Sequence, residues 1–451
     1  MKSFAALLLA LAALGLAQQK PPSKLPPVKF TDNTLDNGLR VIIAEEHSAP
    51  VYAIAVSYKV GSRDERKGRT GFAHLFEHMM FKGSENVGPG EHPYAIATRG
   101  GSLNGTTNTD RTLYYEVLPK NQLDLGLFLE ADRMRSLKVT KENLENQRQA
   151  VKEERRLRLD NQPYGAVYEK AEELTYDNFA YQHSVIGSMA DLDAASVDDV
   201  LDFFKTYYAP NNAVLALAGD LDPKETLAKV KKYFGSIPRH DPPKPVDLTE
   251  PAKNAERRAR IDDKLARLPR VDMAYRIPEA TSADARAMFV LGIILNGESG
   301  RLYQKLVKEK EVASNVFAGL DLRAGPSKIE ITATIRPGKT AQEAEALISE
   351  EIANLIAAPV TEQELQRARS SIRRGAVAPR ESVLAIAVTL ADNTALYNDP
   401  NRINTDYEER MAVTAADIQK AARTYLRNAN RIVIVTQPAA PAPPAAPAKK
   451  Q

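Results

Sequence analysis

The chain contains no cysteine and no tryptophan. Without cysteine it has no disulfides, no thiolate metal ligands and no lipidated-cysteine anchor, so a strongly held metal must rest on histidine and carboxylates. Charge of one sign is also scarce. Lys and Arg total 61 against 58 Asp and Glu, and a net charge of +3 over 451 residues does not ask for nucleic acid. Long apolar runs are lacking too: the run from Phe4 to Leu14 is too short to span a bilayer. With one Lys before it and small residues at Gly15 and Ala17, residues 1–17 have the layout of an export signal cleaved after Ala17. The mature protein is therefore expected to be periplasmic, secreted or held at the cell surface, with no transmembrane segment.

What is present is an ordinary globular composition, 43% hydrophobic and 26% charged, long enough for two domains of roughly 200 residues each. Residues 236–251 carry five prolines and read as a linker; the tail 438–451, rich in Ala and Pro, is expected to be disordered. The two bodies, 28–235 and 252–437, repeat one another. Ser196–Ala218 matches Thr414–Thr436 at an offset of 218, and Val139 onward matches Val360 onward at an offset of 221. In the first half the pattern predicts strands over 39–45 and 51–60, a helix over 69–81, strands over 102–107 and 111–118, and helices over 121–136 and 140–160. The expectation is an α+β protein of two homologous halves, each a mainly antiparallel sheet with helices packed on one face.

In GFAHLFEHMMF, His74 and His78 are four apart, which on a helix sets two imidazoles on one face, one turn apart. Together they can chelate one cation. Glu77 lies beside that face, placed to take a proton from an attacking water and pass it to a leaving amine. A catalytic zinc needs a further protein ligand, and the helix QRQAVKEERRLRLDN offers Glu153 and Glu154; spacing alone does not choose between them. His47, His92, His183 and His240 show no ligand spacing and are read as structural.

HLFEHMMFKGS, GGSLNGTTNTDRTLYYEVLP, NQRQAVKEERR and FFKTYYAPNNAVLALAGD together resemble the pitrilysin/insulinase family of inverted zincins, in its processing-peptidase-like branch. The resemblance runs over nearly the whole mature chain. It implies zinc, one per chain, on His74, His78 and Glu154, with Glu77 as general base and Glu154 closing the motif 76 residues after His78. Asn104 and Gly105 match an edge strand on which relatives lay substrate. Gln147 stands where relatives carry an acid; it can hydrogen-bond around the metal but supplies no charge. Manganese or cobalt could occupy the same donors in vitro.

In the second half, the position equivalent to Glu154 is Gly375, and the helix AMFVLGIILNG has no His or Glu, so no second zinc is expected. The resemblance places a substrate-binding Arg and Tyr where this chain has Val307 and Ser314. Arg301 is read as a packing residue. The implied protein is a zinc endopeptidase subunit for extended peptides or small unfolded proteins, paired with a homologous zinc-free subunit that supplies the Arg and Tyr. The alternatives are a peptidase dedicated to one precursor and a non-catalytic assembly subunit.

Overall fold

The computed structural model describes residues 25–439. The expected export signal and most of the expected tail lie outside this range. In the first half β1 (Thr31–Thr34), β2 (Arg40–Glu45), β3 (Val51–Tyr58), β4 (Ser102–Thr107), β5 (Thr112–Pro119) and β6 (Ala213–Gly219) form one sheet in the order β1-β2-β6-β3-β5-β4. In the second, β7 (Arg257–Asp263), β8 (Arg270–Ile277), β9 (Ala313–Asp321), β10 (Ser327–Ile335) and β11 (Arg431–Pro438) run in the order β7-β11-β8-β10-β9. The path is the same. In both halves the last strand returns to slot between the half's first long strands, parallel to one neighbour and antiparallel to the other. All remaining pairs are antiparallel.

Period-two patterning places the large apolar residues of β3 and β5, among them Tyr52, Ile54, Val56, Tyr114 and Leu118, on one face. There they meet the half's own helices, including Phe72–Met79, Leu123–Arg135 and Lys141–Arg155. The opposite face is not left to solvent. It carries Ala44, Ala53, Ala55, Ala216 and Ala218, residues small enough for a helix to approach closely. The helix that does so, Val383–Tyr397, belongs in sequence to the second half and buries Ile386, Leu390 and Ala391 there. Reciprocally, the first-half helix Gly165–Thr175 lies on the second sheet, with Val167 and Ala171 against Ala274, Ile432 and Ile434. Each fully buried Ile or Leu in such a contact contributes about 2 kcal/mol.

These two helices occupy corresponding places in the repeat, so the halves are tied by a symmetric exchange. The exchange explains why β6, AVLALAG, is buried at every residue: it is covered on both faces. It is also locked by charge. Glu172, on the first-half helix, accepts from Arg323 Nη2 through both oxygens at 2.9 Å and from Lys328 Nζ at 2.7 Å, and all three side chains are fully buried.

The helix expected over 69–81 is Phe72–Met79, starting after Gly71 at φ 84°. A Cβ at Gly71 would come within 2.5 Å of Ile186 O, so the turn into this helix needs glycine. The helix expected over 140–160 is Lys141–Arg155, then widens into a π turn, Arg156–Asp160. Residues 236–251 form neither helix nor strand, and Pro438 closes β11 rather than opening the tail.

Candidate metal centre

The short helix that carries His74, Glu77 and His78 is fixed at its start by Glu65. This buried carboxylate accepts from the backbone N–H groups of Gly71 (2.9 Å) and Ala73 (2.8 Å). Two otherwise orphaned helix donors are satisfied by one acid. Glu65 is gripped in turn by His183, whose Nε2 lies 2.9 Å away while its Nδ1 donates to Phe179 O at 2.8 Å. Both ring nitrogens then donate. Burial by itself would lower the His183 pKa, but the Glu65 carboxylate more than offsets it and the net shift is upward.

The long helix Lys141–Arg155 packs beside the short one and brings Glu154 to both imidazoles. Glu154 Oε2 lies 3.5 Å from His74 Nε2 and 3.3 Å from His78 Nε2, and the three donor atoms all fall within 4.8 Å of one another. Glu153 turns away to an exposed pairing with Arg156 at 3.0 Å. The choice that spacing leaves open is made by helix rotation. The second oxygen of Glu154 is held by Arg158 Nη1 at 3.0 Å, which fixes the carboxylate plane.

Burial, then the adjacent His78, push the His74 pKa down to about 4. His74 is therefore neutral near pH 7, so its approach to Glu154 is not an ion pair. Glu154 is held below the usual carboxylate range, first by its hydrogen bond with His78. Two imidazoles and one carboxylate, aimed at a common point, are the donor set that suits a divalent zinc.

Glu77 lies behind that point, nearly buried. Its Oε2 accepts from Thr107 Oγ1 at 2.6 Å. Burial raises its pKa and the Thr107 bond partly opposes the rise. Thr107 and Gly105 share a face of β4, and Gly105 covers the glutamate: a Cβ there would sit 3.0 Å from Glu77 Cγ and 3.2 Å from Oε1. β4 pairs with β5 on one side only, so its other edge is free among the described residues. On that strand the exposed Asn104 folds its Oδ1 back onto Gly105 N at 2.9 Å. Gln147 is buried, but its amide donates to Asn146 Oδ1 at 2.5 Å and makes no hydrogen bond to His74, His78 or Glu154. It faces along its own helix rather than into the donor set.

Comparison with known proteins gives the family. The family described as Insulinase (Peptidase family M16) matches residues 40–188, and the one described as Peptidase M16 inactive domain matches residues 194–372. The zinc protease PqqE of Helicobacter pylori is 30% identical over 437 residues, covering 95% of this chain and 96% of that protein. The chain belongs to the insulinase family. A crystal structure of a protease from Helicobacter pylori superposes with a TM-score of 0.87 at 28% identity, covering 91% of this chain and all of that one. The periplasmic protease PqqL of Escherichia coli shares the fold at 20% identity and a TM-score of 0.76; 92% of this chain matches 48% of that one. The names of the curated relatives, zinc proteases, suggest the metal that the His2Glu set fits.

Among the described residues of this family member, the candidate metal donors all lie in the first half. In the second, Gly375 ends the helix Glu362–Gly375 and offers no ligand. Val307 is buried, and Ser314 sits on β9 with its hydroxyl donating to Thr334 O at 3.2 Å. Arg301 forks onto Glu364 at 2.6 and 2.9 Å, which occupies it structurally.

A second cluster, His92, Glu116 and Glu130, is fully buried in the first half. Its positive partner is an arginine rather than a metal ion. Arg133 forks onto Glu130, while burial pushes Glu116 up to about 7 and His92 down to about 3. His47 and His240 make ordinary contacts, with Asp220 and Lys205 O, at 2.7 Å each. Sequence reasoning did not single out Thr107, Arg158 or Glu65. Only Arg158 carried a signal, its i, i+4 spacing from Glu154.

Proposed function

We propose that this chain is a zinc-dependent endopeptidase subunit that hydrolyses extended peptides or small unfolded proteins, with His74, His78 and Glu154 holding the metal and Glu77 as general base. The observation that carries the reading is the convergence of Glu154, from a helix distant in sequence, on both imidazoles, directly behind a free sheet edge. Zinc, when bound, supplies a Lewis acid beside the scissile carbonyl.

The protein's own groups do the rest. Thr107 holds one oxygen of Glu77, leaving Oε1 beside Gly105 to take the proton of the attacking water and return it to the departing amine. Burial brings the carboxyl closer to the working pH, where a base both accepts and releases protons readily. An extended peptide adds to the free edge of β4 as a further strand, and the absence of a side chain at Gly105 lets its backbone approach the base. Asn104, which satisfies the Gly105 N–H in the free strand, yields that donor to the substrate and contacts it near the scissile bond. Folded proteins cannot present such a strand, which selects for extended chains. Gln147 is left with a packing role.

The Val307 and Ser314 positions leave the chain short of donors for the developing oxyanion, a contribution of a few kcal/mol in enzymes that have them. A homologous partner supplying an Arg and a Tyr would close the site. The twofold length of the PqqL match, in which a module of this fold makes up half of one chain, supports a two-module enzyme. Export to the periplasm or cell surface follows from the reading of residues 1–17. Among the described residues no helix is long and apolar enough to cross a membrane.

The test is metal analysis of the purified chain together with turnover of an internally quenched peptide, alone and with a candidate partner. One zinc per chain and hydrolysis that rises on adding the partner are expected. A metal-free chain, or full activity as a monomer, would remove the corresponding part of the proposal.

A further inference from the structure

The helix Val383–Tyr397 leaves its own half to cover the first sheet, and the seam it leaves behind is not filled. Between it, the helix Arg402–Met411 and the helix Glu362–Gly375 lies a cavity of about 370 Å³. Gly375, which the repeat aligns with Glu154, stands on its wall. This is the region where the second half has lost a metal ligand, and its charge has the opposite sign.

Three guanidinium groups line the cavity, those of Arg380, Arg402 and Arg410, against one carboxylate, Asp406. Arg402 Nη2 lies 2.9 Å from Asp406 and Arg410 Nη2 3.6 Å from it. Arg380 has no acid: its two Nη groups donate to the carbonyls of Ala376 and Ile403. Nε of Arg380 and of Arg402 is buried without a hydrogen-bond partner among the described residues. Burial draws Arg380 and Arg410 below the ordinary guanidinium range. Three cations against one anion leave two positive charges in excess, in partly desolvated surroundings where an unpaired charge is costly.

The other walls are apolar. Phe289 lies under the Arg410 guanidinium at 4.1 Å, and Ile293, Ile372 and Ile403 complete that side. The remaining polar groups are the hydroxyls of Ser371, Thr389 and Tyr407 and the amide of Asn393. A bare inorganic anion would leave the apolar wall unmatched, and a neutral apolar ligand would leave the guanidiniums unmatched.

We propose that this seam cavity is a binding site for a carboxylate attached to an apolar group, namely the apolar C-terminal residue of a peptide. The arginines take the carboxylate, for which planar guanidinium forks are suited, and the Phe289–Ile293 side takes the side chain. That the ligand is a peptide end rests on the peptidase reading, since hydrolysis generates such ends. The anion site itself does not depend on it. A ligand here bridges the exchanged helix to its own half.

Calorimetric titration of the full chain with N-acetyl-L-phenylalanine and with its amide, each with and without excess chelator, tests the site. The acid is expected to bind one site with or without chelator, and the amide at least ten-fold more weakly. Arg410→Gln and Gly375→Leu should each weaken binding of the acid ten-fold or more. The second variant leaves every arginine in place, and a Cβ at Gly375 meets nothing within 4 Å, so an unchanged melting temperature separates blockage from misfolding. Equal binding of acid and amide, binding that vanishes with chelator, or unchanged affinity in both variants overturns the site. Inorganic phosphate binding as tightly as the acid overturns the apolar part. Failure of the peptidase reading would appear instead as a lack of zinc-dependent hydrolysis, and would leave this titration unaffected.

Discussion

The two halves share one sheet path and pack their own helices on the same face, yet among the described residues only the first presents candidate metal donors. In the first half the long helix ends with Glu154 aimed at His74 and His78; in the second its counterpart ends in Gly375. The lesson is that the architecture is held by residues that differ from those proposed to do chemistry. Apolar patterning and the helix exchange are kept in both halves, while the three candidate donors have no counterpart among the described residues of the second, whose strands are none the worse for it. The second half is then free to serve as a wall, and the arginine-lined seam shows what else that wall can hold.

The comparison can be broken most sharply at Glu77. Glu77→Gln should keep zinc bound and lower turnover by about a thousand-fold, the middle of the range for losing a general base. Retained turnover would show that the first half's chemistry does not run through this residue. The next largest effect is expected where the halves interlock. Glu172→Ala removes the fully buried carboxylate shared by Arg323 and Lys328, leaving them the more exposed Asp321 and Glu330, and should cost about 3 kcal/mol in denaturant unfolding. A small loss would mean that the halves are joined by apolar packing alone.

Gly105→Val probes the sheet edge that the second half does not use. A Cβ within 3.0 Å of Glu77 Cγ must displace the base, and turnover should fall about a hundred-fold with zinc content and melting temperature nearly unchanged. The smallest effect belongs to Arg301, which resembles a functional arginine only in sequence. Arg301→Ala should cost about 1 kcal/mol of stability with no change in hydrolysis per folded chain. Arg301 holds the Glu364 pKa down at about 2. A depressed carboxylate stabilises the fold above its unfolded pKa, about 4.3, and that stability is lost as pH falls through about 2. The gap between wild type and variant should therefore be full at pH 7 and narrow as the pH is lowered from about 4 toward 2.

Much of this was legible before any coordinates. Alternating apolar residues gave β3 and β5 nearly to the residue, because each strand buries one face against large side chains and a slip of one would expose them all. His74 and His78 were legible because a helix converts a spacing of four into a shared face. The exchange of Gly165–Thr175 and Val383–Tyr397 was not. Both helices look amphipathic or apolar in isolation, and nothing local says which sheet the apolar side will meet. Gln147 was singled out by its place in the motif, and the rotamer it adopts sends its amide N–H to the adjacent Asn146, a choice no local pattern announces.

The sequence by itself determined that metal chemistry, if present, had to use histidine and carboxylate, that it belonged to the first half, and that Glu153 and Glu154 were its candidates for a third donor. Tertiary structure brought Glu154, to which the family resemblance already pointed, to both imidazoles and turned Glu153 away, since adjacent helical residues point about 100° apart and packing sets the rotation. It alone also revealed Thr107 on Glu77, Arg158 on Glu154 and three arginines around one seam. The first joins residues 30 positions apart, and the others depend on which rotamers and helix faces the packing selects, which spacing permits but does not decide.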